Sequence, residues 1–404
     1  MIYLVTNSPE LFESSLYKRI SVEESLKLLE SLDEVGLDTE TEGLDPYVNK
    51  LLSLQLGCYE FQIVIDCLTV NPGLYKSYLE SNRTFLGWNL KFDLKFLFRQ
   101  GIIVRNVYDG FLAEKLMWLG YPAGIHSMSL KAAGEKYCNI ELDKSVRGQI
   151  IYKGLTETTI VYAATDVKYL HLIRDAQKVE LAKKGLLTAI KYENAFVIPL
   201  AYTEYCGVKL DKEKWEEKMK KDQERLNAAK DKLDSWFLKN LPNSKYIKRE
   251  FQGDLFNGYN TDPIVTINWN SPTQLIPIFK TLGVNLESQD KESGQKKDSL
   301  DAKILGPQKD KCDLIPIYLD YREAQKLVST YGENFLKQIN PVSGRIHTNY
   351  QQLGADTTRI TSGGKDKSSK TEYVNLLNLP SDAETRSCFV AEQGNKWISI
   401  DYSG

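Results

Sequence analysis

Two acidic residues separated by one position, Asp38 and Glu40, end an apolar segment that begins at Val35. If this segment is a β-strand, its period of two places both carboxylates on the same face. Adjacent carboxylates repel each other, which raises the pKa of one of them unless a cation lies between them. A divalent metal ion, which prefers hard oxygen ligands, is such a cation. The alternative is an ordinary acidic turn, because Asp-x-Glu alone is a common sequence.

Two later segments carry further acidic residues at helical spacing. Asn89 and Asp93 are four residues apart, where an extended segment gives way to a predicted helix, so we expect both on one face of its first turns. Tyr162 and Asp166 have the same spacing in a second predicted helix. The chain therefore offers a set of carboxylates and one phenol in the order strand, helix, helix.

The segments around these residues predict a mixed α/β fold. Ser21 is a candidate N-cap with Glu24 three residues later, which is the pattern of a capping box. The Asp38 strand is followed by two more strand-like segments, 51–57 and 61–66, and a short turn separates them. We expect three successive antiparallel strands, after which helix and strand signals alternate to about residue 185.

Composition narrows the class of protein. A chain of 404 residues predicts two or three domains, and its 42% hydrophobic content is ample for a buried core. The net charge of −2 produces no global field, so a polyanion would need a local basic site. Six scattered cysteines without a Cys-x-x-Cys pair predict reduced thiols, and no apolar run has membrane length. We expect a cytoplasmic protein without a membrane partner.

A different pattern begins near residue 186. A long amphipathic helix is predicted to end near Leu241, and one apolar stripe recurs at four- and seven-residue steps: Trp215, Met219, Leu226, Leu233 and Phe237. Such a stripe is typical of core packing. Ser271 followed by Pro272 predicts the start of another helix.

Taken in order, the acidic residues resemble the three motifs of the DEDD-type 3′→5′ exonucleases in their tyrosine version. The resemblance implies a ribonuclease H-like domain with two Mg²⁺ ions, for which Mn²⁺ can substitute, held by Asp38, Glu40, Asp93 and Asp166. Two such ions, roughly 3.5–4 Å apart, activate a water and stabilise the leaving oxygen in phosphodiester hydrolysis. Tyr162 would orient the attacking water.

The same resemblance implies contacts to nucleic acid. Leu44 would lie beside the terminal base, and Asn89 would hold the strand. For Leu44, simple core packing is an equally good interpretation.

The last quarter of the chain resembles the thumb and the opening of the palm in family A, polymerase I-type, DNA polymerases. The resemblance rests on five segments, 321–331, 343–348, 357–362, 375–380 and 396–404, and on the single residues Gln351 and Arg386. It implies DNA contacts from Arg322, Lys326, Gln351, Arg359, Asn375 and Asn378. Asp401 would be one of two metal-binding carboxylates of the polymerase site. One departure is Thr358, which stands where the family has glycine, and this weakens the assignment of Arg359 because a β-branched residue cannot copy every glycine conformation.

Together the resemblances imply an exonuclease domain at 1–187, a mostly helical thumb region at 188–345 and an incomplete palm at 346–404. Phage polymerases of this family also begin close to the exonuclease, and a phage protein would act in the host cytoplasm. The expected partners are DNA, as primer-template and as a single-stranded 3′ end, and a second polypeptide with the remaining palm and fingers.

Three interpretations remain open. The chain is part of a split or interrupted polymerase, a standalone 3′→5′ exonuclease of DNA or RNA, or a non-catalytic nucleic-acid-binding subunit. Metal-dependent nuclease activity separates the third from the others. A neighbouring reading frame that begins with the rest of the palm would favour the first over the second.

Overall fold

The computed structural model describes residues 1–11, 14–122, 124–141, 146, 148–249, 263–289, 295–365 and 372–400. These residues form two units. The first contains the described parts of Met1–Lys209, Gln338–Leu379 and Ala391–Gly404, and the second contains those of Leu210–Lys337 and Pro380–Val390.

A seven-stranded mixed sheet forms the centre of the first unit. Its strands are β1 (Ile2–Val5), β2 (Tyr17–Arg19), β3 (Glu34–Thr41), β4 (Leu51–Gly57), β5 (Gln62–Asp66), β6 (Thr84–Gly87) and β7 (Asn106–Asp109). Their order across the sheet is β2-β1-β5-β4-β3-β6-β7. Strands β3, β4 and β5 pair antiparallel, as predicted, and the pairs outside them are parallel. Every residue of β4 is buried, as expected of a central strand that is covered on both faces.

Helices pack on this sheet. They are α1 (Val22–Glu30), α2 (Lys76–Leu79), α3 (Lys91–Arg99), α4 (Gly110–Met117), α5 (Leu130–Cys138), α6 (Gln149–Lys153), α7 (Glu157–Lys168), α8 (Leu170–Lys183) and α9 (Leu187–Cys206), with a 3-10 helix at Pro72–Tyr75. The predicted capping box of α1 is present, because the Ser21 hydroxyl accepts from the Glu24 N–H and the Glu24 carboxylate accepts from the Ser21 N–H. Leu37, Leu54, Phe85 and Leu94 are among the fully buried side chains between sheet and helices.

Gly36 sets the distance between strand β3 and helix α7. A Cβ atom at Gly36 would lie 2.8 Å from the Val167 carbonyl oxygen and 3.1 Å from that of Gly57. Both are backbone atoms, which cannot move aside as a flexible side chain can. The absence of a side chain at Gly36 therefore allows α7 to lie directly against β3.

Residues 338–379 add short strands to the first unit: β13 (Tyr350–Gln351), β14 (Thr361–Ser362), β15 (Gly364–Lys365) and β16 (Glu372–Tyr373). They pair antiparallel as β13 with β14 and β15 with β16. Buried Gln352 donates its amide to the backbone oxygen of Glu193 on α9, at 2.9 Å.

The second unit is mostly helical. Its helices are α10 (Lys212–Asn240), α11 (Pro272–Thr281), α12 (Ala302–Leu305), α13 (Leu314–Tyr331), α14 (Glu333–Lys337) and α15 (Ala383–Ser387), with a 3-10 helix at Gly306–Lys311. Short strands are β8 (Lys209–Leu210, at the junction of the units), β9 (Ile247–Arg249), β10 (Pro263–Val265), β11 (Glu287–Gln289), β12 (Lys296–Asp298) and β17 (Phe389–Val390).

Helix α10 confirms the predicted long helix, and most of its apolar stripe is buried. Leu226, Leu233 and Phe237 pack in one core with Trp269 of the segment before α11. Trp215 is buried and stacks on Phe335, whereas Met219 is only partly buried. Helix α11 begins at Pro272 after Ser271, as predicted, although the Ser271 side chain makes no capping hydrogen bond.

The predicted fold class is confirmed, since a mixed α/β unit is followed by a mostly helical region. All six cysteines are free thiols, as their spacing predicted. Within the described residues, no helix has both the length and the apolar character needed to cross a membrane.

Candidate active site

Strand β3 and helix α7 bring three of the predicted carboxylates together. Oxygen atoms of Asp38, Glu40 and Asp166 lie within 4.8 Å of one another. Glu40 and Asp166 are buried, and Asp38 is partly exposed. Three carboxylates this close repel each other unless a cation compensates their charge. Their hard oxygen atoms fit a divalent ion such as Mg²⁺ or Mn²⁺.

Tyr162 lies on α7 one turn before Asp166 and shares its helix face, as the spacing predicted. Its side chain is mostly buried. The start of α7 is fixed by Thr156, whose side chain caps the helix through Thr159. Both candidate residues of this helix are therefore held by a well-defined element.

The structure places Asp93 outside this three-carboxylate group. Asp93 lies on α3 and is buried, and its Oδ1 accepts from the Thr39 backbone N–H at 3.0 Å and from the Thr39 hydroxyl at 2.5 Å. Burial raises the pKa of Asp93 to about 7, and the nearby charge of Asp109 adds to the shift. Asp93 therefore connects α3 to the middle of β3, between the positions of Asp38 and Glu40.

The expected position of Asn89 on the first turns of the helix was wrong. Helix α3 begins at Lys91, and Asn89 precedes it with a left-handed backbone, φ 62°. The carboxylate of Asp109 causes this turn, because it accepts from the backbone N–H groups of Asn89 and Leu90, each at 2.9 Å. Asparagine tolerates the left-handed conformation better than most residues.

Sequence reasoning missed Asp109, which organises this turn. It is buried at the end of β7, and it also accepts from the Phe111 N–H at 3.0 Å as the N-cap of α4. Burial raises the pKa of Asp109 to about 6 although these hydrogen bonds favour the carboxylate. The Asp-Gly step before an apolar helix is a sequence signal for the cap, but the contact to Asn89 is not visible in sequence.

Strand β4 surrounds the carboxylates of β3 with polar side chains. Gln55 is the cross-strand neighbour of Asp38, and Ser53 is that of Glu40. Both are fully buried, and the Gln55 amide donates to the Ser53 hydroxyl at 2.6 Å. Directly opposite residues share a face of the sheet, so these side chains belong to the surroundings of the carboxylates.

Leu44 and Asn89 line a cavity of about 360 Å³ within the first unit. Gln351, the third predicted nucleic-acid contact in this unit, lines the same cavity. Lys95 of α3 and Lys115 of α4 also line it. The structure thus brings three predicted contacts to one pocket and adds three basic residues that sequence reasoning missed, since Lys91 also lines it.

The remaining predicted contacts are spread over both units. Arg322 and Lys326 are exposed and four residues apart on α13 in the second unit. In the first unit Arg359 and Asn378 are exposed, whereas the Asn375 side chain accepts from the backbone N–H groups of Leu377 and Asn378 in a local turn. Asp401 lies outside the described residues.

Thr358, which stands where the family has glycine, has a glycine-like backbone in the structure. Its φ is 65°, which is the left-handed region that glycine occupies readily. The turn is closed by hydrogen bonds from the Gly354 and Ala355 N–H groups to the Arg359 carbonyl, at 3.1 and 3.2 Å. Threonine therefore adopts a glycine-like conformation here.

Two family profiles match the chain. Residues 15–182 match a family described as 3'-5' exonuclease, and residues 257–404 match DNA polymerase family A. The first match contains the three clustered carboxylates, and the second contains Gln351 and Arg359.

Relatives resemble almost the whole chain at low identity. DNA polymerase I of Borreliella burgdorferi is 26% identical over 96% of this chain and 40% of its own length. DNA polymerase I of Aquifex aeolicus is 26% identical over 95% of this chain and 60% of its own, and the DNA polymerase of Escherichia phage T5 is 26% identical over 94% and 45%. The chain thus spans less than two thirds of each relative. Bacterial and phage enzymes both occur among them, so the similarity gives no support for a phage origin.

A solved structure agrees on the fold. The POL domain of Pol1 from M. smegmatis, in complex with DNA primer-template and dNTP, matches with a TM-score of 0.64 and 20% identity, and the match covers 97% of this chain and 59% of that one. The chain is thus similar to 3'-5' exonucleases over residues 15–182 and to family A DNA polymerases over residues 257–404.

Proposed function

We propose that this protein hydrolyses DNA from its 3′ end in a metal-dependent reaction that serves proofreading during replication. The observation that carries the proposal is the convergence of Asp38, Glu40 and Asp166 within 4.8 Å from two different elements. A solvated acidic surface gives no reason for two of these carboxylates to be buried.

The residues have separate roles in this proposal. Asp38, Glu40 and Asp166 would hold the metal ions, and Asp93 is proposed as the fourth ligand, directly or through water. When bound, two divalent ions would supply Lewis-acid activation of water and charge stabilisation for the leaving 3′-oxygen. Tyr162 would orient the attacking water, and the pocket at Leu44 and Asn89 would hold the single strand.

The nuclease assay uses single-stranded DNA with Mg²⁺ or Mn²⁺. We expect the wild-type protein to release nucleotides and chelation by EDTA to stop the release. Replacing two ligands, Asp38→Ala with Glu40→Ala, should abolish hydrolysis because the site can no longer hold the ions. Tyr162→Phe should reduce the rate while metal affinity stays close to that of the wild type.

This assay separates the non-catalytic alternative from the two nuclease interpretations. A non-catalytic nucleic-acid-binding subunit would bind DNA and release nothing with either metal. A standalone exonuclease of RNA or DNA would also hydrolyse its substrate, and it would differ from a split polymerase because it would not extend a primer when the partner polypeptide is added. Hydrolysis that persists in the Asp38→Ala, Glu40→Ala protein would assign the activity to another site or to a contaminant.

For the polymerase part, we propose that primer extension needs a partner polypeptide with the rest of the palm and the fingers. Three apolar side chains near the end of the described residues are largely exposed: Trp397 at 60%, Ile398 at 79% and Ile400 at 90%. Neighbouring apolar side chains of this kind are suited to contact with further palm residues. A mixture of both polypeptides should extend a primer, and Asp401→Asn should remove extension while sparing the nuclease. Extension by this chain alone would contradict the proposal.

The proposed boundaries are 1–187 for the exonuclease, 188–345 for the thumb region and 346–404 for the beginning of the palm. Residues 338–379 group with the first unit, so part of the polymerase-like sequence packs with the exonuclease sheet and its helices.

A further inference from the structure

The pocket at Leu44 and Asn89 is built from two separate parts of the sequence. Leu44, Asn89 and Lys95 come from the segment that matches the exonuclease family, and Tyr350 and Gln351 come from the segment that matches the polymerase family. Its volume of about 360 Å³ is in the range of small-ligand sites. The polymerase-like segment therefore supplies one wall of the pocket that contains Leu44 and Asn89.

A single buried carboxylate, that of Glu204 on α9, joins these two parts. Its side chain is 1% exposed. One oxygen, Oε1, accepts from the Lys91 ammonium and from the Tyr350 backbone N–H, the latter at 2.6 Å. The other, Oε2, accepts from the Lys95 ammonium at 2.9 Å. Glu204 thus holds two lysines of α3 and the first residue of β13 at the same time.

Lys91 reinforces the connection. Besides Glu204, it donates to the Asn349 side-chain oxygen at 2.8 Å and to the Tyr350 carbonyl. A lysine ammonium has three N–H donors, and all three are used by these acceptors. Lys91 is therefore a structural bridge between α3 and β13, with no donor left for a bound anion.

Lys95 and Lys115 are placed differently. Lys95 donates to Glu204, and Lys115 donates to the Gln352 carbonyl at 2.8 Å. Each of these bonds uses one of three N–H donors and orients the side chain along the pocket that both residues line. The remaining donors can meet the phosphates of a nucleic-acid strand, for which lysine is a common partner.

We infer that Glu204 is a positioning residue for binding of the single strand, because it holds the 349–352 segment against α3 and so completes the pocket. The inference rests on the proposed nuclease function for the identity of the ligand. Glu204 lies between the two family matches, so neither match assigns it a role. It acts through Lys95 and Tyr350 and does not reach the three carboxylates of the nuclease centre.

Replacing the carboxylate by an amide tests this role. In Glu204→Gln, one acceptor oxygen becomes an NH₂ donor, so one of the contacts to Lys91, Lys95 or the Tyr350 N–H is lost and the attachment of the 349–352 wall to α3 weakens. We expect the Kd for fluorescein-labelled oligo(dT), measured by anisotropy in EDTA, to rise about tenfold. In the nuclease assay, KM should rise similarly while kcat changes less than about twofold, because the nuclease carboxylates are untouched.

The matched control is Glu180→Gln, which removes the same charge at a partly exposed position on α8, where Lys183 at 3.4 Å is the only ion-pair partner of the carboxylate among the described residues. Its Kd and KM should equal those of the wild type. If Glu204→Gln does not fold, Glu204→Asp retains the charge but is one methylene shorter, and we expect a smaller rise in Kd.

Unchanged Kd and KM in a folded Glu204 variant would overturn the inference, as would a loss confined to kcat. Because the binding assay contains EDTA, it is independent of hydrolysis. A wild-type protein that binds oligo(dT) without cleaving it would contradict the proposed nuclease function while the comparison of Kd values still tests Glu204.

Discussion

Thr358 is a β-branched residue with a left-handed backbone, φ 65°, and this combination has a steric cost. For residues other than glycine this cost is about 1–2 kcal/mol. Glycine avoids the cost, but its unfolded chain has more conformational freedom, which offsets part of the gain in stability. We expect Thr358→Gly to raise the free energy of unfolding by about 1 kcal/mol. Urea denaturation measures this change.

The neighbouring substitution Thr357→Gly is the control, since Thr357 is also exposed but does not have a positive φ. It should lower the free energy of unfolding by about 0.5–1 kcal/mol, because glycine loses more freedom on folding. A Thr358→Gly protein that is less stable than the wild type would show that the turn is not strained.

At the residue scale, sequence reasoning succeeded where neighbours in the chain determine the structure. Ser21 and Glu24 form their capping box within four residues. It failed at Asn89, because the carboxylate that holds this turn is 20 residues away in Asp109. A helical pattern in the residues around Asn89 cannot show a hydrogen-bond acceptor that lies this far away in the sequence.

At the scale of elements, the position of helix α7 against strand β3 depends on Gly36. In Gly36→Ala the added Cβ meets backbone oxygens of Val167 and Gly57, so α7 must move away from β3. We expect the free energy of unfolding to fall by about 1–3 kcal/mol. Nuclease activity should fall as well, because Asp166 on α7 would separate from Asp38 and Glu40.

Gly148→Ala provides the matched control, because a Cβ atom at Gly148 meets nothing within 4 Å and its φ is not in the left-handed region. Its stability and activity should stay close to those of the wild type. Full activity in a stable Gly36→Ala protein would mean that the carboxylates tolerate a shift of α7.

The spacing of the acidic and phenolic residues predicted the elements that carry the site. A spacing of two in β3 and of four in α7 placed Asp38, Glu40, Tyr162 and Asp166 on the correct elements. It did not predict that Asp93 is engaged with Thr39, since this contact depends on how α3 docks on the sheet. Packing between elements determines such contacts.

At the scale of the whole molecule, contacts between residues far apart in the chain determine which segments belong to the same unit. Lys91 and Asn349 form a hydrogen bond although they are 258 residues apart. No local pattern predicts that residues 338–379 join the sheet-containing unit. The family resemblance follows from the order of the motifs. That order did not predict that the pocket at Leu44 and Asn89 would include residues 349–352.

The direction of hydrolysis tests the central claim most directly. A 5′-labelled single-stranded oligonucleotide is incubated with Mg²⁺ and either the wild-type protein or the Asp38→Ala, Glu40→Ala variant, and the products are separated by length. We predict a ladder of labelled fragments that shortens stepwise from the 3′ end with the wild type, and full-length substrate with the variant. Immediate release of a labelled mononucleotide, internal cleavage, or the same ladder with the variant would contradict the assignment of a 3′→5′ exonuclease centre to these carboxylates.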